Sequence, residues 1–172
     1  MDGAGMALPA VTLSEAQAYV RIETGEEEAV LAGLIRMASA LCEAFIGQVV
    51  IARPFEVLMT ADARWQRIET GPVRSIDRVE TPDSAALPAS SYAIDIDANG
   101  DGWVRVSSAA GERVRVIGTA GMAADQNGVP EPVRQGVLRL VAHLFASRDG
   151  DGGAPPAAVT ALWRPYRRMR LA

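Results

Sequence analysis

Two long stretches with an apolar repeat near 3.6 residues bracket a middle third that alternates with period two, and this order most constrains the fold. From Glu26 the apolar positions fall at Val30, Leu31, Leu34, Ile35, Ala38, Leu41, Cys42 and Phe45. That spacing places them along one side of a helix. Glu26 to Glu28 occupy its first turn, where the helix dipole favours negative charge, and Gly47 is the expected stop. The second repeat opens at Val129-Pro130-Glu131-Pro132 and continues through Val133, Val137, Leu140, Val141, Leu144 and Phe145. Proline is tolerated in a first turn, so both prolines fit a helix start. A shorter helix begins at Ser14, after the cap-like pair Thr12 and Ser14.

Between these helices the pattern belongs to strands. Phe55 to Met59, Arg64 to Ile68, Val73 to Val79, Tyr92 to Ile96, Trp103 to Val106 and Arg113 to Ile117 are short runs, several with apolar and charged residues alternating. Pro54 suits an edge or a bend. Ala98-Asn99-Gly100-Asp101-Gly102 between two such runs is a hairpin signal. The predicted class is α+β. A helical core (helices 14–21, 26–46 and 130–148) carries an inserted antiparallel β-sheet over 49–117, the body spanning 1–148. A Gly-rich hinge at 149–154 and a C-terminal arm at 155–172 follow.

Composition narrows the function classes. The 172 residues give room for one domain with an extended arm. No apolar run is read as a membrane span of roughly 20 residues, and MDGAGMALPAVTLSEA has no basic region leading into an apolar stretch. A single cysteine forbids an intramolecular disulfide and fits assembly in the cytoplasm. All 17 basic residues are arginine, and the net charge is −4. Yet Arg164 to Ala172 hold four arginines and no acid. An acidic body with a basic end is not built to coat DNA, which needs many phosphates neutralised at once. It suits a tail that docks on an acidic surface.

The motifs for chemistry are incomplete, so no catalytic, metal or cofactor residue is assigned. Asp95-x-Asp97-x-Asn99-Gly100-Asp101 copies the first half of a calcium loop, but the twelfth position, where a carboxylate is needed, is Val106. A β-turn explains the same residues. His143 is the only histidine, and Cys42 lies on the apolar repeat, where a thiol acts as a small hydrophobe. Gly118-Thr119-Ala120-Gly121 lacks the lysine of a phosphate loop. The arm is different in kind. Val159, Leu162, Trp163, Arg164, Tyr166, Arg167, Arg168, Met169, Arg170 and Leu171 combine residue types that dominate interface energetics. Docking on a partner is the favoured reading. A segment folded back on its own domain and a nucleic-acid contact stand beside it.

The order of motifs resembles the phage head–tail connector (adaptor) family, in the branch of siphophage-like prophages and gene transfer agents. The carrying residues are Thr12 to Ile22, Ala38 to Gly47, Gly71 to Ile76, Gly118 to Gly121, Val129 to Leu138, Ala142 to Phe145 with Arg148, and Leu162 to Arg167. The resemblance implies a homo-oligomeric ring, of twelve copies, beneath the portal protein in the neck of a particle. The ring would link the DNA-filled head to the tail, with the next neck ring (a stopper) on its tail side. DNA would pass through its channel without sequence-specific binding. It implies no membrane partner and no enzymatic activity, and that the arm grips the portal. The alternative is another protein-binding module, such as a tail-completion or stopper protein. A closed ring needs two different complementary patches on each subunit. Glu26, Glu27 and Glu28 with Arg74, Arg78, Arg105, Arg113 and Arg115 are the candidate halves. An enzyme using Asp95, Asp97 and Asp101 is the remaining alternative, tested by metal titration.

Overall fold

The structure is a computed structural model describing residues 7–22, 27–107, 112–147 and 155–168. The chain divides into two compact units, a helical one formed by residues 6–51 and 123–172 and a β-rich one formed essentially by 52–122. The β-rich segment is therefore inserted between the two parts of the helical unit.

In the helical unit, α1 spans Leu13–Val20, α2 Glu28–Ile46, α3 Glu131–Ala146 and α4 Ala157–Trp163. Helix α1 starts one residue earlier than predicted, because Thr12 and not Ser14 is its cap. The Thr12 hydroxyl accepts the Glu15 N–H at 3.1 Å, and the Glu15 carboxylate accepts the Thr12 N–H at 2.8 Å. This reciprocal pair satisfies two otherwise orphaned donors. Glu15 also forms an ion pair with Arg134 of α3. Helix α2 ends at Gly47, whose φ of 68° is the left-handed cap conformation and whose N–H donates to the Glu43 carbonyl at 2.8 Å.

Helix α2 buries Leu31, Ile35, Ala38, Ser39, Cys42 and Ile46. Helix α3 buries Val133, Gly136, Val137, Leu138, Leu140 and Val141. The buried Ser39 hydroxyl accepts the Ala10 N–H at 3.0 Å, tying the segment before α1 to α2. Two predicted core positions of α2, Val30 and Leu41, are exposed instead. Burying the narrower 31, 35, 38, 42, 46 row already seats α2 in its own unit. Helix α2 is also long and apolar enough, by length and composition, to cross a membrane, contrary to the sequence reading. Arg36 and Glu43 interrupt it, and one side is core.

The β-rich unit holds two three-stranded antiparallel sheets. Strands β1 (Arg53–Thr60), β6 (Arg113–Ala120) and β3 (Val73–Glu80) form the first, in the order β1-β6-β3. Strands β2 (Gln66–Arg67), β5 (Gly102–Val106) and β4 (Tyr92–Ile96) form the second, in the order β2-β5-β4. Pro54 lies on an edge strand, where its missing N–H breaks no ladder bond. Of the predicted 64–68 strand only Gln66 and Arg67 form regular strand, although the Ile68 N–H still donates to the Gly102 carbonyl at 2.8 Å. One apolar core, including Phe55, Ile68, Val79, Val104, Val114 and Val116, is shared by residues of both sheets. Gly118 is required by close approach: a Cβ there would lie 2.2 Å from the Ser75 carbonyl oxygen.

The insertion leaves and re-enters the helical unit at one point. Ile51 and Ala123 form an isolated parallel bridge, and the Ala123 N–H donates to the Val50 carbonyl at 2.9 Å. Val50, Ile51 and Ala123 are buried there.

Candidate interaction surfaces

The C-terminal segment is built from a helix that docks before its basic residues begin. In α4, Val159 and Trp163 are buried, and Trp163 is only 1% exposed. The Trp163 indole N–H donates to the Val133 carbonyl of α3 at 3.2 Å, inside the unit. It fits because residue 136 is glycine: a Cβ there would lie 2.1 Å from the indole nitrogen. The Phe45 ring stands 5.9 Å from the Trp163 ring at 49°. Val159 and Trp163 are thus core residues that anchor the segment, and their assignment as docking contacts is corrected. The aromatic–arginine composition does not distinguish an anchor from an exposed contact.

A turn of 3-10 helix, Arg164–Tyr166, follows α4. The Gln48 amide donates to the Tyr166 carbonyl, and the Arg168 N–H donates to the Ile46 carbonyl at 2.8 Å. Residues 166–168 are therefore pinned beside the C-terminus of α2. The Arg167 guanidinium lies 5.8 Å from the Phe45 ring centroid, a cation–π distance. Arg164 and Arg167 are exposed, while Leu162, Tyr166 and Arg168 are half-buried. Met169, Arg170 and Leu171 lie outside the described residues, as do the hinge 149–154 and Glu26.

The sheet arginines expected at subunit contacts differ among themselves. Arg115 pairs with Glu56 at 2.9 Å and donates to the Pro82 carbonyl at 2.7 Å, so it is held within its own unit. Arg78 pairs with Glu80 at 2.5 Å. Arg74 reaches the Gly121 carbonyl at 3.5 Å, and Arg113 is exposed. The Arg105 guanidinium stacks 5.0 Å from the centroid of Trp65, which is itself exposed. Sequence pattern does not single out Trp65, though alternation in β5 puts Arg105 on the outward side. Glu28 accepts from the Gln17 amide at 3.2 Å, and Glu27 directly precedes α2.

The incomplete motifs resolve into local structure. Asp97 accepts the N–H groups of Asn99 at 2.8 Å and Asp101 at 2.9 Å, and Asp101 pairs with Arg67 at 2.9 Å. With Gly100 at φ 74°, this is the hairpin turn between β4 and β5. No group of three metal-ligating side chains occurs among the described residues. Cys42 is fully buried, and burial, reinforced by the charge of Glu43, pushes its thiol up from 9.0 to about 12. His143 is half-buried on α3, with its Nε2 unpartnered.

No family model and no curated protein matches the chain. Solved structures do. A chain from the neck of an empty gene transfer agent particle, computed with C6 symmetry, superposes with a TM-score of 0.79 at 24% identity, covering 100% of this chain and 97% of that one. A chain from the virion of a native gene transfer agent particle gives 0.75 at 24%, with the same coverage. One from the neck of a native particle, computed with C12 symmetry, gives 0.74 at 23%, again over 100% and 97%. The chain has the fold of these proteins from end to end.

Proposed function

We propose that this chain is a structural subunit of the neck of a phage-like particle, a head–tail adaptor that works by binding and not by catalysis. The observation that carries the reading is the end-to-end match, insertion included, to chains from gene transfer agent necks. A shared fold alone can host many functions. Here the surfaces are consistent with the neck role: exposed Arg164 and Arg167, and exposed aromatic and aliphatic side chains such as Trp65 and Met37.

In this reading identical copies form a ring, of twelve, seated beneath the portal protein and above the next neck ring. The C6 and C12 symmetries of the matched neck structures support ring-like self-association. The portal-docking surface is the basic end beyond Trp163: Arg164, Tyr166, Arg167 and Arg168, continued by Met169, Arg170 and Leu171. Trp163 fixes where that surface starts. DNA passes through the ring, and a subunit of net charge −4 gives the duplex little to grip. The particle would assemble in the bacterial cytoplasm.

The test is co-purification of the full chain with the portal protein of the same particle, comparing wild type with Arg164→Glu. The Arg164 side chain is exposed, so the variant should keep its fold and lose most portal capture. Undiminished capture would overturn the docking assignment. Absence of the wild-type chain from the necks of purified particles would overturn the function.

A further inference from the structure

We propose that the flank of α2 formed by Val30, Met37 and Leu41, which are exposed, and the half-buried Leu34 is the surface on which a second copy of this chain packs. The inference rests on the neck reading and names where its ring contact lies. Val30, Met37 and Leu41 are 48%, 49% and 42% exposed. The positions 30, 34, 37 and 41 are separated by four, three and four residues, so they form one continuous row. It runs beside the buried row 31, 35, 38, 42, offset by one residue or about 100° around the helix.

Helix α2 is thus apolar on two adjoining sides. Between Glu28 and Ile46 its only charged residues are Arg36 and Glu43. Glu43 is turned to its own chain, accepting the Val50 N–H at 2.8 Å. A helix apolar over most of its circumference is normally covered over most of it. The row buried within the helical unit accounts for only part of that surface.

Charge identifies the occupant. The N-terminal end of α2 carries Glu27 and Glu28. At its C-terminal end, the hydrogen bond from Arg168 to Ile46 and the stacking of Arg167 near Phe45 gather basic groups. The two ends lie roughly 28 Å apart at 1.5 Å per residue. A neighbouring copy whose basic end reaches the acidic end of this α2 covers the apolar row while pairing the charges, so two different patches of the chain meet. A heterologous contact of this kind is what closes a ring.

The experiment uses the purified full chain in three forms: wild type, Leu41→Glu, and wild type carrying benzoylphenylalanine at position 37. Sedimentation velocity across a concentration series should show self-association of the wild type. Leu41→Glu should raise the dissociation constant at least about tenfold, since a carboxylate would have to be buried. Its circular dichroism and thermal midpoint should match wild type, because the side chain is exposed. Irradiation should give a covalent dimer whose adduct maps to the second copy. Glu28→Arg should weaken association, and adding Arg167→Glu should restore it.

Equal association by Leu41→Glu, adducts confined to the chain's own residues, or no wild-type association up to about millimolar would each overturn the inference. So would partition into phosphatidylcholine vesicles that Leu41→Glu abolishes, which assigns the row to lipid. If Leu41→Glu forms rings and still captures the portal, this inference fails while the neck reading stands. Rings that depend on Leu41 without any portal capture would uphold the α2 contact and overturn the portal docking.

Discussion

Gly136 is a single residue whose side chain cannot grow. The indole of Trp163 occupies the space a β-carbon would take, at 2.1 Å. Gly136→Ala must therefore push α4 off α3, and urea denaturation should register a loss of about 3 kcal/mol. Cys42 gives a second prediction at this scale. Its thiol holds its proton to about 12 in the folded chain and to 9.0 when unfolded. Below pH 9 both states are protonated and the contribution to stability is constant. Above it the unfolded state loses the proton first, so stability falls by about 1.4 kcal/mol per pH unit until about pH 12. Comparing denaturation of wild type and Cys42→Ala from pH 8 to 10.5 should isolate that slope. The burial of Cys42 is legible from its place in the apolar repeat. The role of Gly136 is not, because its reason sits on another helix 27 positions along the chain, and no local pattern records a cross-helix approach.

The elements themselves are largely readable because each is governed by short-range rules. Capping, the Gly47 stop and the Asn99-Gly100 turn act within a few residues of the groups they satisfy. The sides that elements present are less so. The apolar pattern of α2 merges a buried row with an exposed one, since both are 3.6-periodic and only neighbours separate them. Composition does not separate the anchoring residues of the C-terminal arm from its exposed ones, for a related reason. Trp163 has the chemistry of an interface residue and also of a core residue, and the carbonyl that accepts its N–H lies 30 positions away. Trp163→Ala should cost about 3–5 kcal/mol, like other large-to-small core changes. Native-state hydrogen exchange should show α4 amides opening far more readily in that variant than in wild type. Unchanged α4 protection would mean the helix is held by something other than its indole.

For the whole molecule, the adjacent exits at Ile51 and Ala123 make the β-rich unit a removable part. Replacing residues 52–122 by a linker of about four Gly and Ser residues should leave the helical unit folded, because closing so short a gap costs little chain entropy. Trp163 would be the only tryptophan left, so a blue-shifted emission lost on denaturation would report the fold. A red emission in buffer would show that the helices need the insertion. The anchored indole also has a mechanical meaning. Tension on residues beyond Arg168 enters the chain at a segment hydrogen-bonded to Ile46 and, a few residues earlier, wedged into α3. A pull on this tail is therefore shared by α2 and α3, and what yields first is the interior of a helical bundle, not a slack leash.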